Sequence, residues 1–243
     1  MRALILAAGR GSRMGNLTVD RPKCLLSLGG KTLLEWQLEA LRGAGIREIG
    51  IVAGYLAERL KPDGVTKFLN PNWERSNMVA SLLCADEWLR KDVCVVSYAD
   101  IVYPSAAVAA LVHERHGLAI TYDTRWLELW RARFEDPLKD AETFKTDPQG
   151  RLVDIGARAK SLDEIKGQYM GLLKFTPAGW NLVRDLLSQC SESEINSMDM
   201  TSMLRRLIQA GKEVHAVPIA EPWYEVDNLS DLTLYTSWFK HKP

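Results

Sequence analysis

The first thirty residues constrain this chain more than any other stretch. Met1 to Ala8 reads Met-Arg-Ala-Leu-Ile-Leu-Ala-Ala, a short unbroken apolar run. Such a run suits a strand buried on both faces. It breaks at once into Gly9-Arg10-Gly11-Ser12-Arg13-Met14-Gly15 and ends at Arg21-Pro22-Lys23. Gly9 and Gly11 remove side chains, so backbone N–H groups can approach anionic oxygens. Arg13 and Lys23 bring fixed positive charge to the same place. A strand that opens into a glycine-rich, arginine-bearing loop reads as a phosphate cradle, and it points to a nucleoside triphosphate.

Two commoner phosphate loops are excluded. The string Gly-x4-Gly-Lys-Ser/Thr occurs nowhere in the chain. The dinucleotide fingerprint needs a third Gly three residues after the second, and that position is Met14.

Beyond the loop, residues 33–41 have helical periodicity and end at Gly43-Ala44-Gly45. Residues 48–53 and 65–69 read as strands. A helix follows, with Ser76 as its expected N-cap. Residues 92–97 form a strongly apolar strand that ends at Tyr98-Ala99-Asp100. Pro104 opens a helix to about His116, and 117–122 is again strand-like. Strands alternating with helices predict crossover units and a Rossmann-like, mostly parallel α/β sheet. Ligands of such sheets bind beyond the carboxyl ends of the strands. Gly9 and Asp100 both fall at such ends.

From Asp123 the pattern changes. Residues 126–134 are rich in Trp and Arg, and 144–153 read as a hairpin. A strand at 168–175 leads to a helix from Pro177. Residues 198–210 predict an amphipathic helix ending at Gly211, 214–219 a strand, and Ser230 the cap of a final helix. There is no linker and no repeat. The expected organisation is one domain over 1–243, with a nucleotide-binding part at 1–122 and a smaller mixed lobe at 123–243.

Lys plus Arg and Asp plus Glu both number 31, so formal net charge is zero. That argues against bulk nucleic-acid binding, which needs a basic surface. No apolar run approaches a membrane span, and Met1-Arg2 leads into the strand without the apolar region of a signal peptide. Cys24, Cys84, Cys94 and Cys190 show no paired spacing, and read as buried free thiols of a cytoplasmic protein. The four histidines are scattered, so no zinc cluster is expected. Oligomeric state is not legible, and a homodimer stays open.

The string Leu6-Ala7-Ala8-Gly9-Arg10-Gly11-Ser12-Arg13-Met14, followed by Pro22-Lys23, resembles the signature of the sugar nucleotidyltransferase superfamily. The resemblance implies a GT-A-like fold. It places Leu6, Ala8, Gly9, Gly11, Ser12, Arg13 and Lys23 around the nucleotide, with Lys23 and Arg13 as the catalytic cations. It also implies Mg²⁺, shared by Asp100 at the end of a middle strand and by Asp227 in Trp223-Tyr224-Glu225-Val226-Asp227-Asn228. Two carboxylates from distant segments can hold one Mg²⁺ against triphosphate oxygens. Local capping is the plainer use of either carboxylate. An attacking phosphate or phosphonate oxygen is already anionic, so no general base is called for. The task is positioning and neutralising charge on the pyrophosphate leaving group.

Three stretches point to the acceptor. Asn77-Met78-Val79-Ala80-Ser81-Leu82 resembles the helix start of phosphocholine and 2-aminoethylphosphonate cytidylyltransferases, which sets Asn77 and Ser81 near the cytosine and the acceptor. Residues 123–144 are similar to the same subgroup, particularly its phosphonate members. Gln168-Tyr169-Met170-Gly171 stands where sugar-specific relatives carry a Glu. The resemblance thus implies a cytidylyltransferase using CTP and 2-aminoethylphosphonate. Phosphocholine is the rival acceptor and a sugar 1-phosphate the third. An inactive regulatory nucleotide-binding module is the reading from another class. An aminoalkyl head needs aromatic faces or carboxylates. Trp126, Trp130 and Tyr169 offer faces, and Asp123, Asp136 and Glu142 offer charge. Arg133 is a candidate for the acceptor's phosphonate, or is solvated surface. The spacing of Trp126 and Trp130 equally suits one helix face packed into the core.

Overall fold

A computed structural model describes residues 1–240. Strand β1 (Arg2–Ala7) runs through the middle of the molecule, and Ala3, Leu4 and Ile5 are shut off from solvent. A strand apolar at every position cannot leave a face in water. It therefore takes strands on both edges and helices over both faces. The glycine-rich loop leads to a small ladder of β2 (Ser27–Leu28) and β3 (Lys31–Thr32). Helix α1 (Leu33–Gly43) starts at Thr32, whose hydroxyl accepts from the Glu35 N–H while the Glu35 carboxylate accepts from the Thr32 N–H. That reciprocal cap satisfies two N–H groups a helix start leaves bare.

The chain continues through β4 (Glu48–Ala53), β5 (Val65–Leu69), α2 (Met78–Leu83), α3 (Asp86–Lys91), β6 (Cys94–Tyr98), β7 (Ile101–Val102) and α4 (Ser105–His113). Next come β8 (Leu118–Asp123), α5 (Trp126–Arg133), and the antiparallel pair β9 (Glu142–Thr146) and β10 (Leu152–Arg158). The remainder is β11 (Gln168–Phe175), α6 (Pro177–Leu187), α7 (Glu192–Ser197), α8 (Met200–Gln209), β12 (His215–Ile219), β13 (Tyr224–Glu225) and α9 (Leu229–Lys240).

The central sheet has seven strands in the order β5-β4-β1-β6-β11-β8-β12. Its pairs are parallel except at β11, which runs antiparallel to β6 and β8. The Rossmann-like, mostly parallel sheet expected from the sequence is present. Successive side chains of β1 enter opposite cores, Ile5 one and Leu4 and Leu6 the other. One core is closed by α1, α4, α5 and α9, the other by α2, α3, α6 and α8. Strands from both halves of the chain share this sheet, and residue 123 is the last of β8.

Three helix starts differ from expectation. The N-cap of α2 is Asn77, whose Oδ1 accepts from the Met78 N–H at 2.8 Å. Ser76 instead accepts from Asn70 Nδ2. At α9, the Asp231 N–H donates to Asn228 Oδ1 at 3.0 Å, so Asn228 does the capping expected of Ser230. Asparagine caps as well as serine does, so neighbouring Asn and Ser are hard to separate by type alone. Helix α8 begins later than predicted because Asp199 caps it, accepting from the Ser202 N–H. All four cysteines are free. Burial pushes the thiols of Cys24 and Cys94 up to about 12. Cys84 and Cys190 are only half-buried, against expectation. Among the described residues no helix is long and apolar enough to cross a membrane.

Candidate active site

Leu6 of β1 lies opposite Tyr98 of β6 in the parallel register, so the two strands end side by side. From β1 comes the glycine-rich loop, and from β6 comes Ala99-Asp100. Gly11 has φ +68°, and a Cβ there would stand 2.9 Å from Cβ and Cδ of Lys23. Glycine is required twice, for the left-handed backbone and for the lysine stem packed on it. A Cβ on Gly9 would meet nothing within 4 Å, and Gly9 lines a cavity. Its missing side chain leaves space for a ligand rather than for the protein. The N–H groups of Gly9, Arg10 and Gly11 donate to no carbonyl among the described residues.

That cavity measures about 230 Å³. Of the residues expected around a nucleotide, Leu6, Ala8, Gly9, Gly11, Arg13, Lys23, Asn77 and Ser81 line it. Ser12 is exposed and lies outside the lining. Trp73, Met78 and Tyr98 line it without having been foreseen.

A second ladder delivers the distant carboxylate. Strand β13 pairs antiparallel with β7, and the Val226 N–H donates to the Asp100 carbonyl at 2.9 Å. Asp227 follows directly and arrives beside Asp100. Lys23 Nζ donates to Asp100 Oδ2 at 2.7 Å and to Asp227 Oδ1 at 3.4 Å. Arg13 Nη1 donates to Asp227 Oδ2. Burial of Lys23 disfavours its charge, but Asp100, Asp227 and Glu225 outweigh that, and its pKa stands above the ordinary lysine value. Lys23 is therefore an ammonium.

Asp100 Oδ1 is buried and has no hydrogen-bond partner among the described residues. A carboxylate oxygen with nothing to accept is costly, and it is the donor a hard cation takes. Two carboxylates suit Mg²⁺, which keeps phosphate oxygens and waters as its other ligands. Among the described residues no group of three His, Cys, Asp or Glu could hold a metal alone. The donors present fit a metal that arrives with a triphosphate.

A second cavity, of about 310 Å³, shares Arg13, Met78 and Tyr98 with the first. Of the residues expected at an acceptor, Trp130, Glu142 and Tyr169 line it; Asp140, Asp199 and Glu225, which the sequence did not single out, line it too. Burial pushes the Glu142 carboxyl up, and the charge of Asp199 adds to the effect. Burial likewise raises Asp140, against Arg133 and a hydrogen bond from Trp130 Nε1. Burial lifts Glu225 to about 7, opposed by Arg133 and reinforced by Asp100 and Asp227.

Four residues expected at the acceptor do not reach this cavity. Trp126 is 5% exposed and packs edge-on against Trp130 within the core. Asp123 is buried, accepting from Trp223 Nε1 at 2.9 Å and from the Arg125 N–H at 2.7 Å. The Arg133 side chain is 1% exposed. Its Nε and Nη2 clamp Asp231, and its Nη1 donates to Glu225, each at 3.0 Å. Asp136 caps a short turn by accepting from the Leu138 N–H. Trp126 is held by packing, and Asp123, Arg133 and Asp136 by hydrogen bonds to the protein, which residue type alone does not reveal. Asp199 reads in the sequence as the cap of an amphipathic helix, and no signal there points to the cavity.

The MobA-like NTP transferase domain family matches residues 3–161. A CTP:phosphoglutamine cytidylyltransferase of Campylobacter jejuni is 39% identical over 250 aligned residues, covering 96% of this chain and 98% of that protein. A 2-aminoethylphosphonate cytidylyltransferase of Lancefieldella rimae is 33% identical over 105 residues, covering 41% of this chain and 43% of that protein. The structure of the inositol-1-phosphate CTP transferase from T. maritima superposes with a TM-score of 0.76, covering 99% of this chain and 96% of that one. At 19% identity that likeness is one of fold.

Proposed function

The chain belongs to the MobA-like NTP transferase family, and we propose that it is a cytidylyltransferase moving CMP from CTP to a small phosphorylated amino acid, phosphoglutamine in the first instance. The observation that carries the chemistry is the junction of the two cavities. There Lys23 and Arg13 stand against Asp100 and Asp227. The relative that matches end to end supports the choice of base and acceptor. The first cavity takes the nucleotide and the second the acceptor. In sequence terms, residues 1–122 supply most of the first and 123–243 most of the second.

An anionic oxygen of the acceptor attacks the α-phosphorus of CTP. The new P–O bond forms as the bond to the β-phosphate bridge breaks, and pyrophosphate leaves. Lys23 is held charged where the leaving group gains charge, and Arg13 stands beside it. Gly9, Arg10 and Gly11 offer N–H groups to the triphosphate. Asp100 and Asp227 would hold Mg²⁺, which when bound draws charge from the triphosphate oxygens. Glu142 and Asp199 offer negative charge to an α-ammonium group.

Pyrophosphate release with each nucleoside triphosphate and a panel of acceptors tests this reading. CTP should lead, with phosphoglutamine ahead of 2-aminoethylphosphonate, then phosphocholine, then glucose 1-phosphate. The second reading, 2-aminoethylphosphonate itself, is supported by the same carboxylates, which suit any primary ammonium. A lead for that compound would move the assignment to it. A lead for glucose 1-phosphate would overturn the acceptor argument.

A further inference from the structure

We propose that the Tyr98 hydroxyl contacts the acceptor at the point of transfer, donating a hydrogen bond to its phosphoryl oxygen, and that Tyr169 and Gly171 position the Tyr98 ring. The inference rests on the second cavity being the acceptor chamber.

Attack on the α-phosphorus has to occur where the two chambers meet. Three residues line both: Arg13, Met78 and Tyr98. Arg13 is engaged with Asp227. Met78 carries no side-chain donor. Tyr98 is the last residue of β6, two before Asp100, so its place is fixed by the same strand that delivers the carboxylate.

The surroundings of the ring are built to hold it. Tyr169 meets it edge-on, with centroids 5.8 Å apart and planes at 86°. Beside it lies Gly171, which also lines the second cavity; it has φ +76°, and a Cβ there would come within 2.7 Å of Tyr98 Cδ2. A larger residue there would displace the ring. The Tyr169 hydroxyl is shut off from solvent without a hydrogen bond of good geometry. The Tyr98 phenol nonetheless lies close enough to act on its ionisation. A buried hydroxyl left this way is costly unless a ligand reorganises the pair.

The donor's chemistry suits the step. A phenol is a neutral hydrogen-bond donor at neutral pH. A neutral hydroxyl orients one oxygen and leaves the charge of the others available.

Steady-state kinetics on purified variants of the full chain test the proposal, with wild type measured first. Tyr98→Phe keeps the ring and removes one oxygen. It should lower kcat/KM for the acceptor by roughly ten- to a hundredfold, the range for one hydrogen bond to a charged group. KM for CTP should stay within about twofold, as a contact outside the nucleotide chamber's phosphate cradle requires. Gly171→Ala should raise acceptor KM by about tenfold through displacement of the ring. In a Tyr98→Ala background the same change should cost under about twofold in acceptor KM, since no ring is left to displace. Strain at a positive φ lowers Tm in both backgrounds and so separates from the kinetic effect. A Tyr98→Phe enzyme with wild-type kcat/KM overturns the proposal. So does a Gly171→Ala defect of equal size in both backgrounds. Wild-type protein that turns over no phosphorylated acceptor overturns the functional reading together with this one; an active wild type beside an unimpaired Tyr98→Phe overturns this one alone.

Discussion

The two chambers of the cleft are made in opposite ways. The chamber proposed for the nucleotide takes its walls mostly from the ends of β1 and β6, the loop after β1 and the start of α2. The acceptor chamber gathers side chains from β9, β10, β11, α8 and the β13 region. Their charges differ as well. Lys23, Arg13 and Asp100 face the first, whereas Asp140, Glu142, Asp199, Glu225 and Asp227 face the second, with Arg13 as its lining cation. Triphosphate binding is a common task that glycine N–H groups and two cations perform for any nucleotide. Acceptor choice is particular to the enzyme, and it falls to side chains that can be exchanged without disturbing the cradle.

Arg133 tests how far the chambers are separable. It lines neither cavity, but clamps Asp231 and reaches Glu225, which lines the second. Asp231 in turn accepts from the Asp227 N–H at 2.9 Å. Arg133→Met would strand two carboxylates, and breaking such a buried pair costs about 3–5 kcal/mol. Thermal unfolding should show Tm lower by roughly 10 °C for a chain of this size. Activity with every acceptor should fall together, because Asp227 loses its support. An acceptor-selective loss at unchanged Tm would return Arg133 to the acceptor chamber.

Lys23 comes next. Lys23→Ala removes the ammonium that Asp100 and Asp227 share. Turnover should drop about a hundred- to a thousandfold, as when one preorganised donor at developing charge is lost. CTP affinity by calorimetry should change far less, since the cradle's N–H groups remain. Wild-type kcat in this variant would leave Lys23 a purely structural counter-ion.

The difference between the chambers is also a difference in what the sequence could show. Gly9, Gly11, Arg13 and Lys23 lie within fifteen residues, so their spacing carries the chemistry. Asp100 was legible because it ends an apolar run. The sheet was legible because its strands are apolar without interruption. The acceptor chamber had no such string. Whether Trp126 or Trp130 faced a ligand depended on the rotation of α5, and its periodicity suits either. Asp123 and Asp136 looked like free acids, yet each is consumed by a neighbouring N–H. Asp199 was hidden as an ordinary helix cap. Tyr98 stood in view beside Asp100, but only the register of β1 against β6 brings it to the junction.

A milder change probes the acceptor side alone. Glu142→Gln keeps shape and removes charge from a carboxylate that burial and Asp199 already press toward protonation. kcat/KM for an ammonium-bearing acceptor should fall by roughly tenfold, with KM for CTP unchanged, since charge-assisted hydrogen bonds contribute about twice what neutral ones do. The wild type should show a matching pH effect. An ionised carboxylate binds the ammonium, so acceptor KM rises as pH falls through the Glu142 pKa. That pKa lies above the ordinary glutamate value, so the rise begins at higher pH than for a free carboxylate. Glu142→Gln should lack this limb. A variant that keeps it assigns the titration to another acid.

The smallest effect belongs to Trp126, and it decides whether the tryptophans form a cage. Trp126 lies in the core, centroid 6.0 Å from Trp130, and lines neither chamber. Trp130 lies on the boundary: its ring meets Trp126 and Trp223, its Nε1 donates to Asp140 at 3.0 Å, and it faces the acceptor chamber. Trp126→Phe keeps an apolar ring and shortens it, which costs packing of about 1–3 kcal/mol. Acceptor kcat/KM should stay within about twofold, because no substrate contact is lost. Trp130→Phe should do more to acceptor KM, since Trp130 lines the second cavity and its Nε1 also holds Asp140, which lines it too. With phosphocholine as acceptor the contrast sharpens. A quaternary ammonium relies on aromatic faces, and a cage of two tryptophans would make Trp126→Phe and Trp130→Phe equally damaging. Equal damage would mean that Trp126 turns toward the ligand and that the core position described for it is wrong. A Trp126→Phe enzyme with lowered Tm and intact acceptor kinetics would leave recognition of the cationic head to the carboxylates.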